Sequence, residues 1–258
     1  MTNSRVLAKL RAGEHVVVAG IGRVVDPWLS EVVGRVGYDC IWLDLEHRAY
    51  GYDVIDPISL ACRATGIDLM VRVWKTGYGS PMQALEFGAN GLMVPHCHNA
   101  EEARQWAQWV RFPPLGKRGF DGVGADADHG LADPLEQLKH GNQEVFLALQ
   151  IEDAEALEHV EAIAAVEGVD LLFVGPGDLS ISLGAPFQFD NPALIAAYER
   201  VDRAVRKAGK WWGTTAGSPE AAQKALDRGA RMVTGGADHV FLVNGFRDTI
   251  AKYRTLHI

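Results

Sequence analysis

EVFLALQIEDAEALEHVEAIAAVEGVDLLFVGPGD, residues 144–178, contains two apolar runs with one amphipathic segment between them. EVFLALQIE (144–152) and VDLLFVGPGD (169–178) are near-continuously apolar, as strands covered on both faces must be. DAEALEHVEAIAAV (153–166) has helical spacing; Asp153 is placed to cap it and Gly168 to close it. Glu152 ends the first strand and Asp178 follows the second, each where a buried strand should meet solvent. Acidic side chains at consecutive strand ends of an α/β barrel can converge on one hard divalent cation.

The same alternation runs through the chain. Further strands are expected at HVVVAG (15–20), CIWLDL (40–45), LMVRV (69–73), GLMVPH (91–96), WWGTT (211–215) and RMVTGG (231–236). Helical segments follow at 99–110, 192–209 and 218–229. Asn99, Asn191 and Ser218 stand at their starts, Gly209 and Gly229 at the ends of the last two. Eight such runs predict a single TIM-type (β/α)8 barrel over residues 1–258. GIGRVVD (20–26) lacks the third glycine of a dinucleotide fingerprint. Two segments break the pattern. RFPPLGKRGFDGVGADADHGLADP (111–134) is long and Gly-rich, and is expected to be functional. The last helix, about 239–255, carries Phe241, Leu242, Phe246, Ile250 and Tyr253 with no strand after it. Its apolar face fits packing on its own barrel or on another subunit.

Composition narrows the function classes. Hydrophobic residues make up 48% and charged residues 22%, which is ordinary for a globular protein. No apolar stretch approaches the ~20 residues a membrane helix needs, and MTNSRVLAKLRAGEH (1–15) has no apolar signal core, so a cytoplasmic location is expected. Cys40, Cys62 and Cys97 are scattered without CxxC spacing, against a disulfide framework or a structural zinc site. The net charge of −8 and the absence of a basic run argue against nucleic acid as a partner.

Barrel active sites are built from the C-terminal ends of strands. Those ends offer Asp44, Glu46 and His47, then Arg72, His96, Gln150, Glu152, the Gly175–Asp178 turn, Thr214 and Thr215. A lone acid after a strand is commonly a helix cap, but Asp153 fills that role and frees Glu152 for the mouth. Asp44 and Glu46 can orient His47 as a proton-transfer group. Arg72 in an apolar strand demands an anionic partner, either a structural acid such as Asp44 or a substrate oxyanion. Glycines in GPGD (175–178) permit close backbone approach to a bound carboxylate. His96 and His98 read either as a zinc pair or, for His96, as a substrate-facing or supporting residue. Lys75 reads as a surface residue, and Trp74 as a candidate lining of the mouth.

LDLEH (43–47), VRV (71–73), GANGLMVPHCHNAEEA (88–103), RFPPLGKRG (111–119), QIED (150–153) and VEGVDLLFVGPGDLS (166–180) together resemble the metal-dependent class II pyruvate aldolases of the HpcH/HpaI type, in order over nearly the whole chain. The resemblance implies a barrel whose last helix is swapped between subunits, in a homohexamer built as a trimer of dimers. It implies Mg, Mn or Co held by Glu152 and Asp178. His47 would belong to the acid–base machinery, Asp44 would support the site, and Arg72 would contact the substrate's keto oxygen. Glu86 would stand for a supporting Asp of the family, paired with His47. Gln150, Gly175, Pro176 and Gly177 would lie against the pyruvate unit, and Thr215 against the substrate. Gly177, the two threonines and the two histidines depart from the family's pattern, which hints at a smaller or more polar substrate.

The implied reaction is reversible cleavage of a 4-hydroxy-2-oxo acid to pyruvate or hydroxypyruvate and an aldehyde. Strand six offers no lysine for a Schiff base, so the residues favour metal over imine. The alternatives are a citryl- or malyl-CoA type lyase on the same barrel, a phosphate-binding barrel enzyme using TTAGS (214–218) and TGGAD (234–238), and a non-catalytic scaffold.

Overall fold

The protein is described here by a computed structural model covering residues 2–256. Eight parallel strands close into a barrel in sequence order. They are β1 (Val16–Ile21), β2 (Cys40–Asp44), β3 (Asp68–Arg72), β4 (Gly91–Val94), β5 (Phe146–Ile151), β6 (Leu171–Val174), β7 (Trp211–Thr215) and β8 (Met232–Ala237). Every expected strand is present. β1 pairs with both β2 and β8, with a register shift between Val18 and Gly20 on the β8 side.

The helices are α1 (Arg5–Arg11), α2 (Pro27–Arg35), α3 (Ile55–Thr65), α4 (Gly79–Glu86), α5 (Ala100–Val110), α6 (Pro134–Gln143), α7 (Ala154–Glu158), α8 (Val160–Ala164), α9 (Pro176–Ser182), α10 (Pro192–Lys207), α11 (Pro219–Asp227) and α12 (Asp238–Tyr253). Asn99, Asp153, Asn191 and Ser218 each accept a backbone N–H of the first turn they cap. Gly168, Gly209 and Gly229 adopt positive φ where the chain turns back toward a strand. The helix expected over 153–166 is split into α7 and α8 at His159, which has non-helical dihedrals.

Two apolar layers hold the barrel. The outer one sits between strands and helices and includes Ile41, Leu43, Leu92, Leu147, Leu172, Trp106 and Val201. The inner one fills the barrel with Val18, Cys40, Met70, Met93, Phe146, Phe173 and Met232, and α1 adds Val6, Leu7 and Leu10 from below. Each of those buried aliphatics contributes about 2 kcal/mol of burial. Asp68 fixes this floor by accepting Ser4 Oγ at 2.6 Å and the Val6 N–H at 2.9 Å. Nothing in the periodicity of residues 5–11 pointed to α1. The three cysteines are free and buried. Among the described residues no helix is long and apolar enough to cross a membrane.

Helices of β/α units run opposite to the strands, so α5 delivers the 111–134 segment to the N-terminal side of the barrel. There the Arg111 guanidinium donates to the carbonyls of Val145 and Gly168 and pairs with Asp170, just before β5 and β6. Arg118 is buried against Asp126 and stacks over Phe112. Gly119 of the same segment donates its N–H to Tyr78 Oη, in the loop after β3. α12 does not cover its own barrel: of its side chains Asp238 is buried, whereas Phe241, Leu242, Phe246, Ile250 and Tyr253 are exposed. Asp238 Oδ2 accepts the N–H groups of Gly22, Arg23 and Val24, tying β8 to the loop after β1.

Candidate active site

The β5–β6 register sets Ile151 beside Val174, and the Gly175 N–H donates to the Ile151 carbonyl. Glu152 and Gly175 are therefore neighbours at the strand ends, and Asp178 follows in the first turn of α9. Glu152 is buried. Its Oε1 accepts from Gln150 Nε2 at 2.7 Å, and its Oε2 accepts the His96 N–H at 3.1 Å. A Cβ built on Gly175 would overlap Glu152 Oε1, so a side chain there would displace the carboxylate. Burial pushes the Glu152 carboxyl above the usual range, partly opposed by His96 and Arg72. Asp178 is exposed and makes no hydrogen bond or ion pair among the described residues.

Across the mouth, Arg72 is gripped by two acids from the segment after β2. Its Nε donates to Asp44 Oδ1 at 2.9 Å. Its Nη1 lies 3.0 Å from Glu46 Oε2 as an ion pair, though not in line for a hydrogen bond. The guanidinium also stacks on Trp42, 4.9 Å from the ring centre. Burial raises the Asp44 carboxyl, but Arg72 and then Arg48 outweigh it and hold Asp44 below its ordinary value. Asp44 and Glu46 are the resident partners of Arg72, and its Nη2 makes no hydrogen bond among the described residues. His47 is mostly exposed, with Nε2 3.5 Å from Glu46 Oε2.

The remaining candidates divide. Gln150 is buried, and its Oε1 has no hydrogen-bond partner among the described residues. Pro176 and Gly177 open α9 beside Asp178, and Thr215 ends β7 half-buried. Thr214 turns its hydroxyl to the Val174 carbonyl. Trp74 donates its indole N–H to the Leu45 carbonyl at 2.5 Å. Glu86 is not brought to His47 within the chain. It ends α4 on the opposite side of the barrel, where burial raises its carboxyl and Arg118, Asp126 and Asp121 are its charged neighbours. α4 runs antiparallel to β3 and so carries Glu86 away from the strand ends.

β4 ends at Val94, so His96 and His98 do not share a strand face. His96 Nδ1 lies 3.6 Å from Glu152 Oε2, and His98 Nδ1 lies 3.1 Å from Asp153 Oδ2. The two rings thus face different acids, which disfavours a shared zinc ion. Lys75 is exposed, and its Nζ donates to the His96 carbonyl and pairs with Glu102. No local sequence signal marked that link or the grip of Glu46 on Arg72.

No three His, Cys, Asp or Glu side chains among the described residues gather closely enough to hold a metal by themselves. The donors that β5 and α9 themselves supply are nonetheless oxygen: Glu152, the orphaned Gln150 Oε1 and the unengaged Asp178, with His96 Nδ1 3.6 Å from Glu152 Oε2. Two carboxylates completed by substrate oxygens and water suit a hard cation such as Mg, and the set fits.

A family model described as HpcH/HpaI aldolase/citrate lyase matches residues 24–245. A 4-hydroxy-4-methyl-2-oxoglutarate aldolase of Chaetomium globosum is 35% identical over 81% of this chain and 79% of its own length. A hydroxypyruvate/pyruvate aldolase of Pseudomonas aeruginosa is 30% identical over 97% and 93%. The crystal structure of an HpcH/HpaI aldolase from Desulfitobacterium hafniense superposes with a TM-score of 0.91 at 30% identity, covering 97% of both chains.

Proposed function

The chain belongs to the HpcH/HpaI aldolase/citrate lyase family, and we propose that it catalyses the reversible, divalent-metal-dependent aldol cleavage of 4-hydroxy-2-oxo acids to pyruvate, or hydroxypyruvate, and an aldehyde. The observation that carries this reading is the buried Glu152 carboxylate, held by Gln150 and the His96 N–H beside the unengaged Asp178 and opposite the doubly gripped Arg72.

Glu152 and Asp178 would hold Mg, Mn or Co, with Gln150 Oε1 adjoining. When bound, the cation supplies Lewis-acid charge beside the oxygens of the 2-oxo acid. Arg72, fixed through Nε and Nη1, keeps Nη2 to donate to the keto oxygen and to stabilise the charge that grows there as C3–C4 breaks. His47 takes the proton of the C4 hydroxyl. The electron pair of the C3–C4 bond moves into the C2–C3 unit, and the C4 fragment leaves as the aldehyde. Protonation at C3 then completes pyruvate. Asp44 and Glu46 position both Arg72 and the histidine segment.

An imine route finds no support: no lysine is among the buried side chains of the described residues, and Lys75 is committed to the His96 carbonyl and Glu102. The CoA-lyase alternative is weakened by the same bookkeeping of cations. Arg72 and Lys75 are engaged by acids, and Arg118 is buried away from the mouth.

The exposed apolar face of α12 supports assembly with other copies, for which we propose the swapped-helix hexamer, working in the cytoplasm. EDTA is expected to abolish aldol turnover of pyruvate with an aldehyde, and Mn or Mg to restore it. Borohydride with pyruvate is expected to leave the protein mass unchanged, and a stable adduct would refute the mechanism.

A further inference from the structure

The mouth carries a second polar wall, formed by residues that follow β3, β4 and β5. It consists of Lys75, His96, His98, Glu102 and Asp153. His96 holds a φ of 46°, in the left-handed region, which is sparsely used by residues with a side chain. Such strain costs on the order of 1–3 kcal/mol and persists only where surrounding contacts impose it. Here they do so from both sides. The His96 N–H donates to Glu152 at 3.1 Å, and its carbonyl accepts from Lys75 Nζ at 2.7 Å. The outcome is an imidazole standing beside Glu152, with 42% of its side chain open to solvent. The His98 ring lies 6.3 Å away, nearly parallel, with its Nδ1 3.1 Å from Asp153 Oδ2 but not in line for a hydrogen bond.

The charges of this wall are already engaged. Lys75 pairs with Glu102, whose Oε2 also accepts the His98 N–H. Asp153 faces His98 and caps α7 through the Ala156 N–H. One cation stands against two carboxylates, and no cation remains free to receive another anion. An imidazole, by contrast, can donate to or accept from a hydroxyl. Resting on the aldolase reading, we propose that His96, steadied by His98 and Lys75, is a specificity-determining residue. It hydrogen-bonds a hydroxyl of a neutral, hydroxyl-bearing aldehyde, and the wall around it disfavours an aldehyde that ends in a carboxylate.

The test uses the Mn-loaded enzyme with pyruvate as donor and three aldehydes: glyceraldehyde, propionaldehyde and succinic semialdehyde. Wild type is expected to favour glyceraldehyde in kcat/KM by at least about tenfold over both. His96→Gly relaxes the backbone and removes the ring, so a folding defect is not built in. It is expected to lower the glyceraldehyde-over-propionaldehyde ratio about tenfold, the cost of one lost hydrogen bond. His96→Asn, which tolerates the left-handed backbone and keeps polar atoms, should retain part of the preference. Deuterium exchange at the pyruvate methyl group without aldehyde reads the first half of the reaction separately. Exchange in wild type with an unchanged ratio in His96→Gly, or a preference for succinic semialdehyde, overturns this proposal and leaves the aldolase reading standing. No exchange in wild type overturns both.

Discussion

Gly175 and Glu152 occupy adjoining strand ends so closely that no side chain fits at 175 without moving the carboxylate. Gly175→Ala is therefore expected to weaken Mn binding and to lower kcat/KM by about 100-fold, with overpacking of roughly 1–3 kcal/mol. Isothermal titration with Mn checks the first effect; an unchanged affinity would remove Gly175 from the site.

Glu152 is a buried acid whose charge burial disfavours. Glu152→Gln removes that charge at nearly constant shape, although one of its two resident donors then faces an NH2 group. Activity is expected to fall by at least about 100-fold, while the melting temperature stays within a few degrees, since about 1 kcal/mol moves a chain of this size by ~2–4 °C. A variant that melts much earlier but keeps its specific activity would assign Glu152 to the scaffold instead.

Arg72 engages Asp44 and Glu46 through different nitrogens and stacks on Trp42. A lysine cannot reproduce that fork or the planar stack. Arg72→Lys should cost about 100-fold in kcat/KM, carried mainly by kcat because the lost interaction grows with the developing oxyanion. If KM alone rises, Arg72 contributes only ground-state binding.

Asp68, under the barrel floor, has its carboxyl raised by burial to about 6, against the opposing donors Ser4, Val6 and Arg5. An unfolded Asp titrates near ~4. Between those values the native state holds a proton that the unfolded chain has released, so stability falls as pH rises through this window and levels off above it. Relative to Asp68→Asn, wild type should lose about 1–2 kcal/mol between pH 5 and pH 7 in urea unfolding. Parallel pH profiles would contradict this.

Phe246 is exposed on α12. Phe246→Glu is expected to leave the circular dichroism unchanged and to shift the sedimentation coefficient toward smaller species. An unaltered assembly would show that this face is not an interface.

The barrel was legible because double-sided burial forces each strand into an apolar run, and Glu152 stood where such a run must end. What escaped was set by partners remote in sequence. The Lys75 contact with His96 and the Glu46 grip on Arg72 arise from loops that meet only after the barrel closes. Glu86 matched a site element by motif, yet the direction of α4 carries it to the far face of its own barrel. The plug formed by α1 depends on Ser4 reaching Asp68, a link no local period encodes.

Asp238 gives the outward helix a fixed shoulder. Because its carboxylate clasps three N–H groups of the first loop, the barrel seam stays shut whatever the rest of that arm does. Residues beyond the shoulder add little to the barrel's own packing, since their side chains lie exposed.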